Sequence, residues 1–339
     1  MTLAGSDDPL DMVYDVALLD LDGVVYIGQD AVPGAAAALQ DARTHGMRLA
    51  FVTNNAARSP AAVATHLTEL GISATPDEVI TSAQAAAHYL ADRLPAGARV
   101  LVVGTTGLYE ALRERGLSPV SSADEDPVAV VQGYSPTLDW HLLAEGAVAI
   151  RRGALWVATN LDRTVPSARG PLPGNGSMVA ALRHATGQTP ISTGKPDPTM
   201  HRESVQRSRA SRPIVVGDRL DTDVEGANAA DCASLLVLSG VTTPAQLIAA
   251  TPEHRPTFIA RDLGGLLVTH PAPVLASDAA RCGGFEAAAD GDTVTLSGAG
   301  DAMHALRALC VLAWQRDRVT ALRAGDDLAA AALAELGLA

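Results

Sequence analysis

The apolar run Val13-Tyr14-Asp15-Val16-Ala17-Leu18-Leu19 leads straight into Asp20-Leu21-Asp22-Gly23. A run of this composition reads as a buried strand. A core strand that ends in two carboxylates is costly unless something offsets their charge, and a bound cation is the usual answer. Asp20 and Asp22 are two residues apart, so on an extended chain their side chains point the same way. Gly23 lets the backbone come close to a ligand. The plainer reading is a strand-to-loop exit with two solvated aspartates. The rest of the chain favours the cation.

Beyond this stretch, strands alternate with helices. A short hairpin is expected over 24–30, then an Ala-rich helix from Pro33 to Gly46, with Pro near its start and Gly past its end. Residues 48–52 predict a strand ending at Thr53-Asn54-Asn55, and helices follow over 61–70 and 83–94. A second rhythm begins at Arg99, with strands over 100–103, 128–131 and 154–158. Its helices reach Arg115, span 138–151, and run from Gly174-Asn175-Gly176-Ser177 to Ala185 after a loop holding Pro166, Pro171 and Pro173. The first rhythm then resumes with a helix over 198–209, a strand over 214–216, a helix over 224–230 and a strand over 234–238. Such alternation predicts an α/β fold with a doubly wound, mostly parallel, Rossmann-like core. Pro271-Ala272-Pro273 reads as a linker. After it come a hairpin over 285–296 turning at Asp290-Gly291, a helix, a strand and a helix. These predict a small α+β C-terminal extension.

Composition narrows the class. The 339 residues suit two or three domains. A net charge of −13 argues against nucleic acid or an anionic membrane as partner. Three widely spaced cysteines fit neither a disulfide framework nor a metal motif, and point to a reducing cytoplasm. The first ten residues lack the apolar core of a signal peptide, and no apolar run approaches the roughly 18 residues that span a bilayer. The 25 basic residues include a single lysine, Lys195, in Thr193-Gly194-Lys195-Pro196-Asp197. A bias toward arginine this strong spares a lysine where an ammonium is needed. A compact point charge fits between an aspartate and a phosphate where a planar guanidinium does not.

Asp20, Thr53 and Asp218 each end a predicted strand. Ligands of open parallel sheets bind outside the carboxyl ends of the strands, so the three are expected at one rim. With Lys195 they suit a phosphate and a cation. Oxygen ligands without His or Cys favour Mg²⁺ over zinc. A phosphate dianion repels a carboxylate nucleophile, and an ion held by Asp20, the Asp22 backbone oxygen and Asp218 cancels that repulsion. Thr53, Asn54, Asn55 and Lys195 are expected to hold the phosphate oxygens. Asp20 then attacks phosphorus, Asp22 serves as general acid and base, and Asp223 orients water as an outer ligand.

In order and spacing, four motifs resemble those of the haloacid dehalogenase superfamily of phosphatases. They are Asp20 to Gly23, Thr53 to Asn55, Gly194 to Pro196, and Gly217-Asp218-Arg219-Leu220-Asp221-Thr222-Asp223. The last motif and the long insert look like the phosphoglycolate, glycerol-3-phosphate and p-nitrophenyl phosphatase branch. Bacterial glycerol-3-phosphate phosphatases with an extra C-terminal piece are the nearest likeness. The resemblance implies a core over 1–82 and 190–270 and an inserted α/β cap over 83–189, with 273–339 as a partial acetyltransferase-like extension. It also implies a small phosphate ester as substrate, glycerol 3-phosphate ahead of 2-phosphoglycolate, and a homodimer formed through the cap. Nucleotide and sugar phosphates are alternatives. Pyridoxal phosphate ranks lower, because Val165 stands where phosphatases for it tend to carry a His. A catalytically silent binding protein is the rival of another class, and the intact set of Asp20, Asp22, Lys195 and Asp218 argues against it.

Two cap stretches carry weaker signals. Gly174 to Ser177 reads more simply as a helix start than as a phosphate cradle. Asn160, Asp162 and Arg163 end a cap strand, where they either touch the substrate or are merely solvated.

Overall fold

The computed structural model describes residues 3–165, 169–170, 172–316 and 319–339. Pro166 and Pro171 of the expected cap loop lie outside the described residues. The chain forms two compact units, Met1–Leu49 with Ser208–Ala339, and Ala50–Arg207. The fold is mixed α/β with parallel core sheets, as expected.

In the first unit, four parallel strands lie in the order Phe258–Ala260, Ala233–Val237, Pro213–Gly217 and Val16–Leu19. The strand Val16–Leu19 is buried throughout, which explains its unbroken apolar sequence. It is shorter than expected, because Leu10–Val13 forms a helical turn that the Tyr14 N–H closes onto the Leu10 carbonyl. Asp15 marks the change of conformation, its carboxylate accepting the N–H groups of Ser211 and Arg212 at 2.9 and 2.8 Å.

The extension forms a five-stranded sheet in the order Val274–Leu275, Ala279–Cys282, Phe285–Asp290, Thr293–Gly298 and Ala321–Ala324. Two short strands therefore precede the expected hairpin. Leu306 and Leu309, on helix Ala302–Ala313, share one apolar cluster with Phe285 and Leu296 and with Leu236, Leu247 and Ile259 of the parallel-sheet part. The residue just before the segment read as a linker is anchored, since His270 and Ser6 exchange backbone hydrogen bonds at 2.7 and 2.9 Å.

In the second unit, a wholly parallel sheet runs in the order Ile191–Ser192, Leu155–Ala158, Ala129–Gln132, Arg99–Val103 and Ser118–Val120. Alternate residues of Arg99–Val103 serve opposite faces. Val100 and Val102 pack with Leu90, Leu108 and Leu112 of helices Ser82–Ala91 and Thr106–Glu114. Leu101 and Val103 pack with Ile150, Val179 and Leu182 of helices Trp140–Arg151 and Asn175–Thr186. Both faces are covered, as a parallel sheet requires. The short strands Val79–Thr81, Ser118–Val120 and Ile191–Ser192 are additions to the sequence reading. Among the described residues, no helix is long and apolar enough to cross a membrane.

Candidate active site

In the first unit, Asp20 and Asp218 leave the carboxyl ends of neighbouring parallel strands that pair in register, Leu19 opposite Val216. Oxygens of Asp20, Asp218 and Asp223 all lie within 4.8 Å of one another. Asp218 and Asp223 are buried and Asp20 is half-buried. Three carboxylates so close together repel strongly in a dry setting, and a hard divalent cation removes that cost.

The surrounding backbone shapes this acidic set. The Val241 N–H donates to Asp218 Oδ2 at 2.6 Å, and the Thr242 N–H to the Asp218 carbonyl at 3.1 Å. A Cβ at Gly240 would overlap the Asp218 carboxylate, and one at Gly23, where φ is +89°, would stand 2.5 Å from Asp218 Oδ2. Ser239 Oγ donates to the Gly23 carbonyl at 2.7 Å, tying the two approaching loops together. The Arg219 N–H donates to Asp223 Oδ2 at 3.2 Å. Asp223 sits where Leu220–Val224 takes a wide π-helical turn ahead of helix Glu225–Ala229, which starts one residue later than expected.

Sequence reading missed Ser239, Gly240 and Val241. Their only signal was a Ser-Gly pair just past a strand end. Gly240→Ala is expected to push the Asp218 carboxylate aside and weaken Mg²⁺ binding by about 10–100-fold, as disturbing a ligand's support does. Titration calorimetry with Mg²⁺ checks this, and unchanged affinity in a folded variant would show that Asp218 has room to spare.

Asp22 is exposed, on the turn in which the Gly23 N–H donates to the Tyr26 carbonyl at 2.8 Å. Its carboxylate is not one of the three that cluster.

The second unit holds the other candidates. Thr53 ends a strand and is buried. Its Oγ1 accepts the Asn55 N–H at 3.1 Å, and Asn55 Oδ1 accepts the Ala57 N–H at 2.8 Å, which turns the loop. The Asn54 amide is engaged at every polar position. Its Oδ1 accepts the Lys195 N–H at 2.9 Å, and its Nδ2 donates to the Lys195 carbonyl at 3.1 Å and to Asp162 Oδ2 at 3.2 Å. A further donor for a phosphate oxygen must therefore come from the Asn54 backbone.

Lys195 is 3% exposed, and its Nζ donates to the Val52 carbonyl at 3.3 Å. His201 is buried nearby. Burial above all, and then the Lys195 charge, push its pKa down to about 3. It stays neutral and adds no competing charge beside the ammonium.

The weaker candidates are engaged within the second unit. The Gly176 N–H donates to the Asp162 carbonyl at 2.9 Å and Ser177 Oγ to the Arg163 carbonyl at 2.7 Å, so Gly174 to Ser177 starts a helix. The Asn160 side chain is buried and donates to the Asn54 carbonyl at 2.7 Å.

Comparisons with known proteins agree with this chemistry. A model described as haloacid dehalogenase-like hydrolase matches residues 17–118, and a second HAD-hydrolase-like model matches 192–266. A GCN5-related N-acetyltransferase like domain matches 282–338. The chain is 47% identical over 332 residues to D-glycerol 3-phosphate phosphatase of Mycobacterium tuberculosis, covering 94% of this chain and 93% of that protein. It is 35% identical over 252 residues to acid sugar phosphatase of Staphylococcus haemolyticus, covering 74% and 94%. The crystal structure of a glycerol phosphate phosphatase from M. tuberculosis in complex with magnesium superposes with a TM-score of 0.90 at 45% identity, covering 98% and 99% of the two chains. A likeness that spans nearly the whole of both chains, with the acidic set at the strand ends, places this chain in the haloacid dehalogenase-like hydrolase family.

Proposed function

We propose that this chain is a Mg²⁺-dependent phosphomonoesterase that hydrolyses glycerol 3-phosphate through an aspartyl phosphate on Asp20. The observation that carries the substrate is the near full-length likeness to D-glycerol 3-phosphate phosphatase, C-terminal extension included. The acidic set of buried Asp218 and Asp223 with half-buried Asp20 fits a hard divalent ion. Asp20, Asp218 and the Asp22 carbonyl would hold that ion, and Asp223 would orient water as an outer ligand. When bound, Mg²⁺ supplies the positive charge that lets a carboxylate approach a phosphate dianion.

Asp20 attacks phosphorus as the ester P–O bond breaks. Asp22, exposed and so within reach of an entering substrate, gives its proton to the departing alkoxide. Water then attacks the aspartyl phosphate, Asp22 takes the proton, and the bond to Asp20 breaks to release inorganic phosphate. The ammonium of Lys195 offsets the charge on the phosphate oxygens during both transfers, and the Thr53 hydroxyl and the Asn54 backbone N–H donate hydrogen bonds to them.

The same reading assigns 1–82 and 190–270 to the phosphatase core, 83–189 to an α/β cap and 273–339 to the extension. The hydrolase matches end at residue 266 and the acetyltransferase-like match begins at 282, which supports the last boundary. Residence in a reducing cytoplasm fits the three free cysteines, and a homodimer through the cap is part of the proposal.

Phosphate release is the test, measured over a panel of glycerol 3-phosphate, 2-phosphoglycolate and sugar phosphates, with Mg²⁺ and with EDTA. Glycerol 3-phosphate is expected to give the highest kcat/KM, with EDTA lowering it on the order of 10³-fold, since the ion supplies several kcal/mol. A sugar phosphate at the top would move the substrate toward that of the staphylococcal relative. No release from any ester would sink the enzyme reading.

A further inference from the structure

Asn54 is held from two sides. On one side its amide brackets the backbone of Lys195, Oδ1 accepting from the N–H and Nδ2 donating to the carbonyl. On the other, the segment leaving strand Leu155–Ala158 grips it at two points. Asn160 Nδ2 donates to the Asn54 carbonyl at 2.7 Å, and the Asp162 carboxylate accepts from Asn54 Nδ2 at 3.2 Å. The gripping segment is itself braced. Asn160 Oδ1 accepts the Asp162 N–H at 3.2 Å, which fixes the spacing of the two contacts. Asn175 Nδ2, at the start of helix Asn175–Thr186, donates to the Asn160 carbonyl at 2.8 Å. Asn160 and Asn175 are 3% and 2% exposed, so these hydrogen bonds form where water competes least.

We infer that Asn160 and Asp162 are positioning residues that set where Lys195 stands by holding Asn54. The inference rests on the phosphatase reading for its catalytic consequence, but not for its geometry. A point charge that stabilises a transferring phosphoryl group is sensitive to displacement, and a misplacement of about 1 Å costs on the order of 10²-fold in rate. Lys195 carries its charge on a flexible stem, so it depends on the backbone beneath it being fixed. Asn54 fixes that backbone at both the N–H and the carbonyl. Ser82 Oγ also donates to the Asn54 carbonyl at 2.6 Å, so removing the Asn160 amide leaves that carbonyl satisfied. The loop then loses its register without losing all of its hydrogen bonds.

Lys195 is the only lysine in the chain, which allows a test that needs no activity. Protein labelled with ¹⁵N-lysine gives one lysine amide resonance. In Asn160→Ala and in Asp162→Ala, that resonance is expected to move and its hydrogen exchange to quicken at least tenfold, while total stability holds. An unmoved resonance with parental exchange in both folded variants overturns the inference, whether or not the parent is a phosphatase.

The catalytic arm is a double-mutant cycle on phosphate release. Asn160→Ala is expected to lower kcat about 10–100-fold and KM by less than threefold. Added to Lys195→Met, the same substitution is expected to cost nothing further. Multiplied losses would mean that Asn160 acts elsewhere. A parent that releases no phosphate would count against the phosphatase reading alone, and the labelled lysine would still decide the positioning.

Discussion

Asp20→Asn is expected to lower phosphate release from glycerol 3-phosphate on the order of 10⁴-fold, as loss of a nucleophile does elsewhere. The amide matches the carboxylate in shape but has no charged oxygen to attack phosphorus. Asp20 is half-buried beside Asp218 and Asp223, so the substitution also removes one of three clustered charges. Mg²⁺ affinity is therefore measured alongside rate. An excess of Mg²⁺ that restores binding without restoring turnover isolates the nucleophilic role. Mass spectrometry of parent protein quenched during turnover should show a phosphorylated chain, and Asp20→Asn should show none. Turnover within tenfold of the parent, with the ion bound, would falsify the assignment of Asp20 as nucleophile.

Lys195→Met is expected to cost about 10²–10³-fold in kcat, the scale of losing one preorganised charge aimed at a transition state. Stability should hold or rise, because an apolar side chain of similar length replaces a buried ammonium that is 3% exposed. Thermal unfolding checks that the loss is not one of folding. Lys195→Arg is expected to recover less than a tenth of the parental rate. The guanidinium is larger and planar, and the ammonium it would replace sits in a buried niche with its Nζ 3.3 Å from the Val52 carbonyl. If arginine restores the parental rate, any cation serves, and the survival of a lone lysine in an arginine-rich chain needs another cause.

The parts of the fold that were legible share a physical reason. A strand buried on both faces is apolar along its length, as Val16–Leu19 is throughout and Arg99–Val103 is after Arg99. A helix over a parallel sheet announces itself through Ala- and Leu-rich spacing with Pro before and Gly after. Strands of two or three residues, such as Val79–Thr81 and Ile191–Ser192, carry too few side chains for a period to show. The turn at Leu10–Val13 was hidden because Val13 continues the apolar run that the next strand needs.

The candidate site was legible in the sequence to the extent that it lies in single residues. Asp20, Thr53 and Asp218 each stand at the end of an apolar run, and Lys195 is the one lysine of an arginine-rich chain. A charge at the end of an apolar strand is a local cost, and local costs are visible without coordinates. What holds those residues is not local. The close approach of Gly240 and Gly23 to Asp218 and the bonding of Asn54 to both Lys195 and Asp162 join segments more than a hundred residues apart in every case except Gly240 with Asp218. Asn54 shows the difference most clearly. Its type and place suggested a phosphate ligand, yet its amide is occupied by backbone and carboxylate partners brought to it by folding. The sequence by itself determined which groups are present and which strand ends carry them. Only the tertiary structure decided which of their hydrogen-bonding atoms remain available, because a buried amide takes whatever partners the packed chain sets beside it.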